Sequence, residues 1–229
     1  MNKIKVAIVG TGFGAKVHLP GYLLSDLYEV RGIYAHSKNK GEHIAMQYNI
    51  KNYESIDEIV LDSEIDLVSI AAIPNEHFDF AKKAILAGKA VILEKPMAMN
   101  VEESKILRDL ADKYNSKVAI VHEHRFDSSK KYLQYLIKTQ AYGNVRSIEI
   151  KKHMTYWNSP KSERLYDWFA NKDLGGGMVG AHLSHQIDFL HFIGRGSLQF
   201  IQGFSFIEVQ QRFDSIRNVY RKHTSDDSV

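Results

Sequence analysis

The stretch Gly10-Thr11-Gly12-Phe13-Gly14-Ala15 constrains this chain more than any other. It follows the apolar run Val6-Ala7-Ile8-Val9 and precedes a helical pattern. That is the strand–turn–helix setting in which G-x-G-x-x-G/A binds a dinucleotide. There Gly10 permits the tight turn, Gly12 lets the backbone approach a pyrophosphate, and the small Ala15 lets helix and strand pack closely. Phe13 and Gly14 complete the loop, and the helix behind it offers free amides and a positive dipole end to phosphates. A glycine turn alone can be purely structural, so the surrounding pattern has to carry the reading.

Over the first half of the chain, it does. Strands are expected at Lys3–Val9, Val30–Ala35, Lys51–Tyr53, Asp66–Ala71, Ala90–Glu94 and Lys117–Val121, with helical patterns between them. The runs Val6-Ala7-Ile8-Val9 and Leu67-Val68-Ser69-Ile70-Ala71 are too continuously apolar for a one-sided sheet, which points to parallel strands covered on both faces. Ser55 with Glu58, and Asn100 with Glu103, fit the pattern that satisfies the free amides of a helix start. Gly88 falls where a helix from about Glu76 should end. Pro20 lies inside the expected first helix and should kink it.

After about His122 the pattern changes. Lys130–Lys138 reads as a helix, Val145–Met154 alternates like a strand, and Met178–Ile193 is an apolar helix ending at Gly194. Two more strand-like runs follow, Ser197–Val209 and Ser215–Lys222. The expected fold class is therefore α/β. A Rossmann doubly wound parallel sheet occupies 1–122, and an α/β (α+β) domain with a mostly antiparallel open sheet occupies 123–229. Thr224–Val229 reads as the approach to another strand, so this second sheet is expected to be incomplete and the chain truncated.

Charge and cysteine usage narrow the partners. The 30 Lys and Arg alternate with 27 Asp and Glu, for a formal charge of +3. That distribution lacks the clustered basic face that nucleic acid requires. The absence of cysteine excludes disulfides, thiolate catalysis and cysteine-ligated metal. The first apolar run is interrupted at Lys5 and ends in the glycine turn, so it reads as a strand and not a signal peptide. No run approaches the length of a membrane span. A cytoplasmic protein without membrane or nucleic-acid partners is the expectation.

The end of the second strand bears on the choice of nucleotide. An acidic residue about 20 positions past the glycines would bind the ribose hydroxyls of NAD, but Ile33-Tyr34-Ala35-His36-Ser37-Lys38 contains none. Glu29 sits at the start of the strand, the wrong end. His36, Ser37 and Lys38 suit a 2′-phosphate, which favours NADP(H), with NAD(H) possible. An ordinary solvated loop is the alternative.

Ala72-Ile73-Pro74-Asn75-Glu76-His77 and Ala87-Gly88-Lys89-Ala90-Val91-Ile92-Leu93-Glu94-Lys95-Pro96 resemble the Gfo/Idh/MocA oxidoreductase family. So do His122-Glu123-His124-Arg125-Phe126, Gly143-Asn144-Val145-Arg146-Ser147, Gly175-Gly176-Gly177, and the later His185 and Asp188. The resemblance implies a nicotinamide-dependent dehydrogenase acting on a sugar, cyclitol or related polyol. It also implies assembly as a homodimer or homotetramer through the carboxy-terminal sheet.

By the same resemblance, Lys95 contacts the reacting hydroxyl, where an ammonium can stabilise alkoxide charge and help move the proton. Pro96 suggests a cis peptide. His185 corresponds to the family's acid/base histidine. The family often has Asp four residues earlier, where this chain has Ala181. His182 lies about 100° round the helix from that position, and Asp188 could orient His185 instead. Asn75, His77, Glu123 and Arg125 match positions near the nicotinamide, its ribose or the interdomain hinge, and His77 could equally stabilise the start of its helix. Ala72, Pro74, Glu94 and Lys95 are further candidate cofactor contacts. Lys95, Arg125, His182, His185 and the cluster His153, Tyr156, Trp157 and Asn158 are candidate substrate contacts, with a structural ion pair the alternative for Arg125 and core packing the alternative for the aromatics. His182, His185, Asp188 and His191 suggest a helical metal site only superficially, and none is expected. A non-catalytic NAD(P)-binding sensor of the same fold is the alternative function.

Overall fold

Val6, Ala7, Ile8 and Val9 are all buried, as a strand covered on both faces must be. The strand they form, β1 (Ile4–Val9), lies near the centre of a six-stranded sheet in this computed structural model. The structure describes residues 2–153, 167–194, 199–200 and 202–227. Contacts divide the chain into two units, Met1–Val121 and His122–Val229.

In the first unit, β1 is followed by α1 (Leu19–Leu23), β2 (Tyr28–Tyr34), α2 (Lys38–Tyr48), β3 (Lys51–Tyr53) and α3 (Ile56–Leu61). Then come β4 (Leu67–Ile70), α4 (Pro74–Leu86), β5 (Ala90–Glu94), α5 (Val101–Tyr114) and β6 (Val118–Val121). The sheet order is β3-β2-β1-β4-β5-β6, with every neighbouring pair parallel. This is the Rossmann order, with the reversal between β1 and β4. Tyr34, Val9, Ile70 and Leu93 stand opposite one another across the four central strands. Gly10, Ala71 and Glu94, one residue further on, therefore share the edge where ligands bind.

The core has two layers. One face of the sheet packs Val9, Val68, Ile70 and Leu93 against Ala81, Ile85 and Leu107. The other packs Val6, Ile8 and Ile33 against Leu19, Tyr22 and Ala45. Both expected helix caps form: Ser55 Oγ accepts from Glu58 N at 3.1 Å and Asn100 Oδ1 from Glu103 N at 2.8 Å.

Pro20 acts as expected, but the kink takes a specific form. A wide π-type turn covers Gly14–His18, where Leu19 N donates five residues back to Gly14 O, and α1 restarts with Pro20 in its first turn. Proline has no amide to give and crowds the carbonyl four residues back, so the preceding turn widens.

The second unit opens with a 3₁₀ turn, Glu123–Phe126, and then α6 (Ser128–Lys138). A second π-type turn, Val179–Leu183, leads into α7 (Ser184–Ile193). The strands β7 (Gln211–Asp214) and β8 (Val219–Lys222) form an antiparallel hairpin.

Three expectations here are corrected. Residues 145–153 are exposed and form no strand, and the described part of 199–209 has none beyond an isolated bridge at Phe206. Alternation makes a strand only where another strand accepts its hydrogen bonds. The run Ser215–Lys222 is a turn followed by β8, because Asp214 Oδ1 accepts the amides of Ile216 and Arg217 at 3.0 and 3.1 Å. Beyond β8, Asp226 caps the turn before α7, accepting Val179 N at 2.7 Å. Among the described residues, no helix is long and apolar enough to cross a membrane.

Candidate active site

In the first unit the site is built on the sheet edge. Gly10 has φ +104°, and a Cβ there would lie 2.3 Å from Ala71 O, so only glycine fits. A Cβ on Gly12 would meet nothing within 4 Å. The space above the turn is open, as a pyrophosphate cradle requires. Close packing of helix against strand falls to Gly14, where a Cβ would come within 3.1 Å of Ile8 and 3.3 Å of Ala71. Ala15, given this role from the sequence, is half-buried and packs against the layer of Val6 and Ile8 beside it. Phe13 is exposed and packs edge-on to His18 at 5.6 Å. These features fit a bound dinucleotide, whose phosphates the Gly10–Ala15 turn would hold.

Two of the three residues proposed for a 2′-phosphate, His36 and Lys38, already face carboxylates. His36 Nε2 pairs with Glu76 Oε1, while Tyr34 OH lies 3.3 Å from His36 Nδ1. Lys38 Nζ is 3.5 Å from Glu54. Ser37 occupies the cap position of α2 without a side-chain capping bond.

Two loops complete this edge. Ala72 follows β4, Pro74 begins α4, and Asn75 is exposed on its first turn. His77 is fully buried. Its Nδ1 lies 2.7 Å from Pro96 O and its Nε2 3.1 Å from Ala72 O. Burial pushes its pKa down, and the two carbonyls offset this only in part. Such a ring is scaffold beneath the loops, which matches the structural alternative for this residue, at the start of its helix, and not the cofactor contact. Lys95 is half-buried, follows directly on β5, and is joined to Pro96 by a cis peptide.

Glu94 is buried, and two groups hold it. Oε2 accepts from Lys95 N at 3.2 Å, and Oε1 lies 3.0 Å from His18 Nε2. His18 Nδ1 is 2.8 Å from Ser69 Oγ, which also accepts from Tyr22 OH at 3.1 Å. Burial raises the Tyr22 phenol above its ordinary pKa, the Ser69 bond opposing it, so it remains a donor. Sequence reading missed His18, Ser69 and Tyr22. The signal was Ser69 itself, a polar residue inside a run too apolar to leave it unbonded.

The second unit gathers another group of expected residues. His185 is buried on α7. His124 stacks on it at 4.0 Å between ring centres, and His122 meets it edge-on at 5.8 Å. Glu123 Oε1 lies 3.7 Å from His124 Nε2 and 3.8 Å from His185 Nε2. Glu123, His124 and His185 have the composition of a metal site. Their geometry argues against one, because rings stacked 22° from parallel aim their lone pairs side by side instead of at one point.

Asp188 is gripped through both oxygens by Arg125, with Nε–Oδ2 at 2.6 Å and Nη2 on Oδ1. This corrects one expectation, since Asp188 is committed to Arg125 instead of orienting His185. For Arg125 it is the alternative reading, the structural ion-pair partner, that the geometry matches. The carboxylate facing His185 is Glu123. The turn Val179–Leu183 is of the wide type, so the 3.6-residue spacing assumed from Ala181 to His185 does not hold there. His182 Nδ1 lies 3.3 Å from Lys152 Nζ, and His153 is exposed. Tyr156, Trp157 and Asn158 lie outside the described residues.

Known proteins resemble the chain throughout. A family model described as an oxidoreductase family with an NAD-binding Rossmann fold matches residues 4–122, and a GFO/IDH/MocA C-terminal domain model matches 131–228. An uncharacterized oxidoreductase of Synechocystis is 32% identical over 216 residues, covering 94% of this chain and 57% of its own length. Glucose-6-phosphate 3-dehydrogenase of Bacillus subtilis is 29% identical over 82% of this chain and 53% of itself. The crystal structure of an NAD-binding protein from Listeria innocua superposes with a TM-score of 0.71 at 27% identity, covering 84% of this chain and 55% of that one. The chain spans about half the length of the curated relatives it matches.

Proposed function

The chain belongs to the Gfo/Idh/MocA oxidoreductase family, and on that footing we propose that it is an NAD(P)-dependent dehydrogenase. Its substrate is a secondary alcohol, or the matching ketone, of a sugar, cyclitol or related polyol. The observation that carries this reading is the sheet edge itself. A glycine turn open at Gly12 ends one strand, and the Glu94-Lys95-Pro96 loop ends another. The name of the Bacillus subtilis relative, a sugar-phosphate dehydrogenase, supports the substrate class.

The cofactor, when bound, supplies the hydride chemistry. The chain's own residues hold it and manage the proton. The amides of the Gly10–Ala15 turn bind phosphate. As the alcohol's C–H hydride passes to the cofactor, its O–H proton passes to the unprotonated ring nitrogen of His185, while the ammonium of Lys95 stabilises the developing alkoxide. In the reverse direction His185 returns the proton as the ketone is reduced. Glu123, facing His185, stands in for the acid absent at position 181 and orients that ring.

NADP(H) is the preferred nucleotide, with NAD(H) possible, because no carboxylate ends β2. The family resemblance supports a cytoplasmic homodimer or homotetramer, which light scattering would test. Ala181 favours one second reading, a sensor that binds NAD(P) without turnover.

The test is titration of the purified chain with NADPH and NADH, followed by fluorescence and melting temperature, then assay against sugars, sugar phosphates and cyclitols. Lys95→Ala should abolish turnover and keep nucleotide affinity. Normal turnover by that folded variant refutes the role of Lys95. Saturable binding without turnover on any polyol by the wild type favours the sensor.

A further inference from the structure

We propose that His18 is a positioning residue, linking the phosphate-binding turn to the backbone of Lys95. The inference rests on the dehydrogenase reading only in taking the Gly10–Ala15 turn as the nucleotide cradle and Lys95 as the reacting group.

Three strands and one turn meet at this imidazole. The turn Gly10–Ala15 leaves β1 and runs without interruption into the wide turn that ends on His18. Ser69 projects from β4 and is fully buried, and Glu94 ends β5. The side chains of His18 and Glu94 are only 7% and 10% exposed.

The donors run in one direction. Tyr22 OH donates to Ser69 Oγ, so the Ser69 hydroxyl has its own hydrogen to give His18 Nδ1. That leaves Nε2–H to donate to Glu94 Oε1. Lys95 N–H donates to the other oxygen of the same carboxylate. Ser69, His18 and Glu94 each have a partner on both sides, and a buried network satisfied in this way holds its geometry stiffly.

Lys95 has to meet the reacting hydroxyl oxygen within hydrogen-bond reach. Its backbone position is set by Glu94, and Glu94 is set by His18. A nucleotide that fixes the glycine turn therefore also fixes the root of the lysine, two strands away. Nothing comparable would follow if His18 merely filled space, since an apolar residue of similar volume would then serve.

The experiment uses the full chain, labelled with ¹⁵N, and ADP-ribose as the probe. ADP-ribose fills a phosphate cradle and carries no nicotinamide ring that could touch Lys95 directly. In the wild type, saturating ADP-ribose should shift the Lys95 amide resonance. In His18→Ala the shift should be lost while ADP-ribose still binds, and His18→Gln, which keeps a donor toward Glu94, should restore part of it. If His18→Ala does not fold, Ser69→Ala removes the anchor at Nδ1 with little change of volume and should weaken the shift.

With a polyol substrate in hand, kcat in His18→Ala should fall roughly ten- to hundred-fold, as for a small misplacement of a reacting group, with KM little changed. An unmoved Lys95 amide in a wild type that binds ADP-ribose overturns the link alone. A full shift retained in both variants does the same. A folded wild type that does not bind ADP-ribose overturns the nucleotide reading instead.

Discussion

His77 Nδ1 lies 2.7 Å from the carbonyl oxygen of Pro96, so a fully buried imidazole on the first turn of α4 fastens the loop that carries Lys95. His77→Ala removes that bond, leaves a cavity and strands a carbonyl. It should cost about 2–4 kcal/mol in urea unfolding of the intact chain. His77→Gln keeps a donor and should cost less.

The same residue should make the protein less stable in acid. Burial holds the pKa of His77 below the ordinary 6.5. The unfolded chain therefore takes up the proton first as pH falls. Stability from the neutral ring is complete above about pH 6.5 and is lost as pH drops toward the depressed folded value. Melting temperature followed from pH 7.5 downward should fall more steeply in the wild type than in His77→Gln. A residual slope should remain, because burial also lowers the pKa of His223 in the second unit. Equal slopes in both proteins would assign the acid lability elsewhere.

Gly10 and Gly12 should separate stability from binding. At Gly10 an alanine would carry φ +104° and a Cβ 2.3 Å from Ala71 O, and should destabilise the apo chain by about 1–3 kcal/mol or more. At Gly12 the added methyl meets nothing, so apo stability should change by less than about 1 kcal/mol. Its methyl occupies the space a pyrophosphate needs, so NADPH affinity should fall sharply. Tight NADPH binding by Gly12→Ala would remove this turn as the phosphate site.

Much of this was legible in the sequence, and what was not has a common cause. Continuous apolar runs located β1 and β4 to within a residue, because a strand covered on both faces has no polar side to hide, and the alternation of strand and helix patterns placed the other four to within two. Ser55 and Asn100 were legible because a cap is satisfied three residues away. His18, by contrast, bonds to residues 51 and 76 positions distant, and no local pattern encodes such a meeting. Val145–Met154 misled for the converse reason, since alternation is local and strand pairing is not. The placing of Asp188 against Arg125, 63 residues apart, was likewise beyond a helical-wheel argument.

That ion pair gives a test within the second unit. Asp188 is about 10% exposed and Arg125 about 40%, so removing the guanidinium leaves a largely buried carboxylate with only His122 near it, 3.8 Å away. Arg125→Ala should cost about 1–3 kcal/mol, discounted for the exposure of the arginine. Asp188→Asn, which removes the charge and keeps an acceptor for one N–H, should cost less. The reverse order in chemical denaturation would mean that Arg125 packs and does not pair.

Glu76 is where nucleotide preference should respond to a single change. Its carboxylate pairs with His36 at the end of β2, the place where a 2′-phosphate or a ribose hydroxyl pair would lie. Glu76→Gln removes a negative charge from that neighbourhood and releases His36 as a donor. If the pocket receives a 2′-phosphate, NADPH affinity should rise several-fold while NADH affinity stays within about two-fold, since only the former carries the extra charge. The effect should shrink as salt is raised, because His36 is exposed and screening is strong there. If NADH affinity falls instead, Glu76 itself is the ribose ligand. The acidic residue missing from the end of β2 would then be supplied by the first turn of α4, and the preference would be for NAD.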